Sequence, residues 1–182
     1  MKKINFCSIG ECMIEIANTK NNHFIQSFAG DTLNFSAYLD KKKIKVDYLT
    51  SIGKSKINKN LFYIFRLKKI SPKLVNIHKD KESGLYLIKN YKNGEKQFYY
   101  WRDNSAAKDY LNNLNYNKLI SKFTKYDYVY FSGITLALLS KEKRMNFYEF
   151  IKLIKQKNNK NFLLALTNQN LFFIIVILTC LF

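Results

Sequence analysis

A chain of 182 residues with 47% apolar side chains is long and apolar enough to bury a single core, which excludes a disordered polymer. The formal charge of +18, from 31 basic and 13 acidic residues, does not by itself point to nucleic acid. The excess is lysine spread from Lys2 to Lys160 and accompanied by Asn, Ile, Phe and Tyr, the set that A/T-rich codons supply, and no basic, aromatic-interleaved nucleic-acid fold goes with it.

The amino terminus carries two lysines and then alternates through "INFCSIGECMIEI", without the apolar stretch of a signal peptide. That segment reads as a strand over Ile4 to Ile16 broken at Gly10, where the chain turns before Glu11. "AGDTLNFSAYL" reads as a helix capped by Asp31 or Thr32, with Leu33, Ala37 and Leu39 turned to the core. In "KVDYLTSIG" Val46, Tyr48, Thr50 and Ile52 share one face, the pattern of a half-buried strand ending at Gly53. A second helix is expected over about 58–69, stopping before Pro72. Strand, helix, strand, helix is the order of an α/β sheet.

"GLYLIKNYKNGEKQFYYWR" interrupts that order. Two β-rich runs flank Asn93-Gly94, the dipeptide favoured in type I′ hairpins, so an antiparallel hairpin is expected within the alternation. Phe98, Tyr100 and Arg102 then share one face, and Tyr99 and Trp101 the other. "YDYVYFSGI" resumes as an apolar strand ending at Gly133. A helix from about 140 to 157 turns Phe147, Ile151 and Ile154 to one side and leaves the charges of Lys141 to Arg144 in solvent. "NFLLAL" is the next expected strand. Beyond Lys160 no charge remains, yet the longest apolar run, Leu171 to Leu178, is far shorter than a membrane helix requires.

A carboxylate at a strand end, followed by Gly-Asp-x-x-Asn at a helix start, lies where α/β folds bind ligands, outside the carboxyl ends of strands. Helix capping by Asp31 with Asn34 on the surface explains the same pattern without a ligand. Arg102 beside Tyr100 makes a clamp suited to a hydroxylated, carboxylate-bearing small molecule, although strand aromatics also serve simply to pack. Cys7, Cys12 and Cys180 are odd in number and lack metal-ligand spacing, which fits a reducing, cytoplasmic setting. Cys12 reads as a buried thiol, and neither His23 nor His78 belongs to a catalytic motif.

"IGECMIEI", "FAGDTLNFSAYL", "SGLYLIKNYKNGEKQFYYWRDNSAAKDYL" and "YDYVYFSGITLALLS" resemble, in order and spacing, the amino-terminal part of the ribokinase/PfkB carbohydrate kinases, most of all those acting on 2-dehydro-3-deoxygluconate. The resemblance implies a Rossmann-like ribokinase fold with an inserted β-sheet lid, spanning residues 3–160, its hairpin at about 84–102. It implies ATP-dependent, Mg2+-assisted phosphorylation of the sugar acid to its 6-phosphate. Carried across by position, Gly30, Asp31 and Asn34 contact sugar hydroxyls, Tyr86, Tyr100 and Arg102 hold the substrate from the lid, Arg102 takes its carboxylate, and Ile134 walls the pocket. A homodimer through the lids is also implied.

Three departures stand out. Where family members carry an acidic residue after the glycine of "IGKSKI", this chain has Ser55 and Lys56. The Gly-Ala-Gly-Asp loop that binds phosphate and supplies the aspartate base is absent, since the six glycines are isolated and no acidic residue follows Glu149. An Asp-x-Asn-x-Arg stretch is also replaced by "LLALTNQNLFF". The expectation is an amino-terminal half whose segment 161–182 departs from the family and which does not turn over alone. A non-catalytic sugar-acid-binding chain and a protein tethered to a membrane by its tail remain alternatives.

Overall fold

The computed structural model describes residues 2–19, 23–158, 161–168 and 171–177. In chain order the elements are β1 (Ile4–Ile9), β2 (Met13–Asn18), β3 (Phe24–Ala29), α1 (Asp31–Tyr38), β4 (Ile44–Gly53), α2 (Lys59–Leu67), β5 (Ile70–Ser71), β6 (Val75–His78), β7 (Leu85–Asn90) and β8 (Lys96–Trp101). They continue with α3 (Ala106–Asn113), α4 (Ile120–Phe123), β9 (Tyr128–Ser132), α5 (Gly133–Leu138), α6 (Lys141–Asn158), β10 (Asn161–Asn168) and β11 (Leu171–Ile177).

Two sheets form. The large one runs β11-β10-β9-β1-β4-β5, with β6 also on β4, and the small one runs β3-β2-β7-β8. In the large sheet β1 pairs parallel with β4 on one side and β9 on the other, so successive connections leave β1 in opposite directions. Such a switch point opens a crevice at the carboxyl ends of the strands. Gly10 ends β1 as expected and sends the chain into β2 of the small sheet.

β4 is buried on both faces rather than half-buried. Val46, Tyr48 and Ile52 join Phe6, Leu61, Phe65 and Tyr130 in one core, whereas Leu49 joins Cys7, Ile9, Val129, Phe131 and Phe147 in the other. Period-two alternation shows which residues share a face but cannot show that a second layer covers the polar one. Phe147, Ile151 and Ile154 are buried as their spacing predicts.

Three local expectations are corrected. Gly30, not Asp31 or Thr32, occupies the cap position of α1, and Asp31 is its first helical residue. Helix α2 stops at Leu67, because Lys69 adopts a left-handed φ of 51° and β5 begins at once. The β7–β8 turn is not type I′, since Gly94 has φ 88° while Asn93 does not share a positive φ. Gly94 N–H donates to Tyr91 C=O (3.0 Å) and Tyr91 N–H to Glu95 C=O (2.9 Å), the pattern of a longer loop with a glycine bulge.

The turn that departs from the family at Ser55 is held from outside. Ser55 Oγ and Asn58 Nδ2 donate to Glu82 Oε2 at 2.7 and 2.8 Å. β10 forms parallel to β9, and β11 lies antiparallel to β10, so residues 171–177 of the apolar tail are a strand of the large sheet. Among the described residues no helix is long and apolar enough to cross a membrane. Cys180 and the tail's last residues, 178–182, lie outside the described residues.

Asp47, 4% exposed, ties β4 to the segment before β9 by accepting from Tyr126 OH at 2.6 Å and pairing with Lys125 at 3.4 Å. Burial pushes its carboxyl up, but Tyr126, Ser71 and Lys125 outweigh burial and leave it below the ordinary range. A depressed carboxyl stabilises the fold above its unfolded value and ceases to do so as pH falls through the folded one. Urea unfolding midpoints are therefore expected to fall below about pH 4, and Asp47→Asn to flatten that slope while costing about 1–3 kcal/mol at neutral pH.

Candidate functional site

The crevice at the carboxyl end of β1 is built by four segments: Gly10 to Cys12, the Gly30–Asp31 start of α1, the Arg102–Ser105 stretch after β8, and the Ser132–Gly133 start of α5. Their approach is tight. A Cβ on Gly30 would lie 2.4 Å from the Glu11 carbonyl oxygen, and one on Gly84 would lie 2.8 Å from Glu11 Oε1 and 3.2 Å from Arg102 Cβ. Only glycine permits such backbone contact without displacement.

Polar contacts beneath fix the helix starts. Thr32 Oγ1 lies 2.5 Å from Tyr48 OH, and Ser36 Oγ donates to Thr32 C=O at 2.8 Å, seating α1 on β4. Ser132 and Thr135 form a reciprocal cap on α5, and Thr135 Oγ1 donates to Ile9 C=O at 3.0 Å, joining α5 to the end of β1. Ser105 caps α3 by accepting from Lys108 N–H.

Glu11 is 3% exposed and ion-paired to Arg102, Oε2 to Nη2, at 2.5 Å. Burial raises its carboxyl, while the Arg102 charge and the Ser105 hydroxyl oppose that rise and Asp31 adds to it. Glu11 Oε2 and Arg102 Nη2 partner each other in that ion pair, whereas buried Asp31 Oδ2 has no hydrogen-bond partner. Buried polar atoms normally find partners, so Asp31 Oδ2 marks an unmet acceptor at the start of α1.

The small sheet contributes an aromatic face. Tyr86 stacks on Phe98 and on Tyr100, with centroids 6.4 and 5.8 Å apart, and its hydroxyl donates to Glu15. Burial and Glu15 both raise the Tyr86 phenol, which therefore stays protonated as a donor. Phe98, Tyr99, Tyr100 and Trp101 are all exposed along the edge strand β8, so they form a surface platform and not a core.

The residues singled out in the sequence thus fall into groups. Gly30, Asp31 and Arg102 converge on Glu11; Tyr86 and Tyr100 stack on the adjoining sheet face; Asn34 lies one turn into α1, exposed; Ile134 is half-buried at the second position of α5. The sequence marks Glu11 only as a strand-end carboxylate and gives no sign of a role for Glu15. A charge set among Ile9, Cys12 and Met13 was the available signal for Glu11, but nothing local pairs it with Arg102. Cys12 is fully buried, and burial raises its thiol, as expected of an inert side chain. His78 is bound to Asp109 at 2.9 Å, away from this crevice.

This crevice and small sheet recur in known proteins. The model of the pfkB family carbohydrate kinases matches residues 3–175. The chain belongs to that family. It is 35% identical over 164 residues to a 2-dehydro-3-deoxygluconokinase of Haemophilus influenzae, covering 88% of this chain and 52% of the relative. Against the 2-dehydro-3-deoxygluconokinase of Escherichia coli K12 it is 31% identical, covering 84% and 50%. The chain therefore spans about half the length of these curated relatives.

The crystal structure of a Thermotoga maritima 2-dehydro-3-deoxygluconokinase superposes with a TM-score of 0.76 at 15% identity, over 91% of this chain and 52% of that one. A Giardia lamblia ribokinase gives 0.70 at 16% identity, over 89% and 51%. The pfkB chain described here thus has the α/β ribokinase fold, with its β-sheet insertion. The match reaches residue 175, beyond residue 160, where the resemblance of the sequence motifs was expected to end.

The residues present do not fit a nucleotide-bound metal. Among the described residues no group of three or more His, Cys, Asp or Glu is placed to hold a metal ion, and the six glycines are too far apart in sequence to form a phosphate-cradling loop.

Gly30→Ala is expected to push Glu11 out of place and cost about 1–3 kcal/mol in urea unfolding, whereas exposed Asn34→Ala should shift it by less than about 0.5 kcal/mol.

Proposed function

We propose that the whole protein is a sugar kinase that phosphorylates 2-dehydro-3-deoxy-D-gluconate to its 6-phosphate with ATP and Mg2+, and that these 182 residues form its sugar-acid-binding half. The observation that carries the reading is the unpartnered, buried Asp31 Oδ2 beside an Arg102 guanidinium held by one nitrogen on Glu11. Asp31 Oδ2 is an acceptor awaiting a hydroxyl, and Arg102 is a guanidinium with N–H groups to spare for a carboxylate. Together they match a ligand that carries both groups, such as the sugar acid for which the similar 2-dehydro-3-deoxygluconokinases are named.

In this reading Gly30, Asp31 and Asn34 bind sugar hydroxyls at the start of α1. Tyr86 and Tyr100 cover the ligand from the small sheet, Arg102 binds its carboxylate, and Ile134 closes the apolar side. The phosphate loop and base of the family are not among these residues, whose six glycines are isolated. The chain alone is therefore proposed to bind without turnover.

Thermal unfolding with and without 2-dehydro-3-deoxy-D-gluconate tests the binding. A raised midpoint that disappears in Arg102→Ala is expected, and a profile indifferent to the ligand rejects the reading. A coupled ADP-release assay on the 182-residue chain is expected to show no sugar-dependent activity. A homodimer through β8 belongs to the same proposal, since Tyr99 and Trp101, on the sheet face opposite Tyr86 and Tyr100, stay exposed at this edge. Sedimentation should show a dimer that Trp101→Glu converts to monomer, and a monomeric unsubstituted chain removes the dimer from the proposal.

A further inference from the structure

Glu11 has no part in the sugar-binding roles above, yet it is the most deeply buried carboxylate in the crevice, 3% exposed. A carboxylate withdrawn from water is retained only where a partner and a function offset the loss of hydration. Its partner is Arg102 Nη2 at 2.5 Å. Arg102 needs such a partner, because it follows directly on β8, an edge strand exposed at every residue. A long side chain at the end of such a strand samples many rotamers unless its head group is held.

The contact is one-sided. Nη2 is buried against Glu11, whereas the Arg102 side chain as a whole keeps 21% exposure. A guanidinium has five N–H donors in a rigid plane, so engaging one nitrogen leaves an edge free for a second carboxylate. Glu11 is closely packed by glycines: a Cβ on Gly30 would lie 2.4 Å from its carbonyl oxygen and one on Gly84 2.8 Å from its Oε1.

We propose that Glu11 is the positioning residue for Arg102, clamping one guanidinium nitrogen from below so that the free edge of the fork is presented, already ordered, to the carboxylate of the ligand. The inference rests on Arg102 being the carboxylate-binding residue of the proposed function. Pre-ordering removes the rotamer entropy that Arg102 would otherwise lose on binding. Glu11 touches no ligand and acts only through Arg102.

Two readouts on the 182-residue chain separate the clamp from the ligand reading. In 15N-labelled protein the Arg102 Nε–Hε signal, assigned by its loss in Arg102→Lys, is expected to be ordered and slow to exchange with water. Glu11→Gln should move it to the position and exchange rate of a solvated arginine. Calorimetry with 2-dehydro-3-deoxy-D-gluconate should show about tenfold weaker binding in Glu11→Gln, as for loss of a charged hydrogen-bonding partner. The double variant with Arg102→Ala should bind no more weakly than Arg102→Ala alone.

An Arg102 signal unchanged in Glu11→Gln overturns the proposal, as does acid binding that is equal or tighter in that variant. An additive double variant also overturns it, since a purely structural Glu11 would act without Arg102. If the signal depends on Glu11 but Arg102→Ala binds the acid as well as the unsubstituted chain, the clamp stands and the ligand reading fails. Should Glu11→Gln not fold, Glu11→Asp, which keeps the charge on a shorter stem, is expected to shift the same signal and weaken the same binding.

Discussion

The architecture depends on the passage of the chain through Gly10, Glu11 and Cys12. Here the central strand of the large sheet ends and the first strand of the small sheet begins, with Gly10, Glu11 and Cys12 all buried. The segment is pinned by contact and not by length. The carbonyl of Glu11 occupies the space that any side chain on residue 30 would need, so the helix start that follows β3 is placed by the same three residues. Moving this junction would shift the small sheet, α1 and the crevice together.

Polar groups buried beside β4 are only partly satisfied. Tyr48 pairs with Thr32, and Asp47 with Tyr126 and Lys125, while Asp47 Oδ1, Thr50 Oγ1 and Tyr130 OH have no hydrogen-bond partner. At the junction Glu11 and Arg102 are buried as an ion pair, and Asp31 Oδ2 beside them is unpartnered.

The small sheet extends the same logic outward. Its inner face packs Ile14, Phe28 and Leu85 onto the main core, which orients the opposite face of β2 and β7. On that opposite face Met13, Ala29 and Tyr86 form a separate apolar group, with Tyr100 and Phe98 stacked beyond it. The sheet is therefore a rigid plate against the large sheet and an aromatic surface over the crevice. The edge position of β8 leaves its aromatic residues accessible instead of burying them.

Much of this was legible in the sequence because it depends on local periodicity and on residue types at turns. The break at Gly10, the hairpin around residues 91–95, the same-face relation of Phe98, Tyr100 and Arg102, and the buried stripe of α6 all follow from spacings of two and three to four residues. The motifs from "IGECMIEI" to "YDYVYFSGI" placed the chain in its family, and the isolated glycines showed that a phosphate loop was missing. What spacing could not supply were contacts between distant segments. β3 and α5 escaped notice because neither announces itself by periodicity, and β4 looked half-buried because its second covering layer comes from residues beyond position 111. The pairing of Glu11 with Arg102 was decided by tertiary structure alone, since a buried charge finds its partner through the meeting of two sheets and no local pattern encodes which distant residue it will meet.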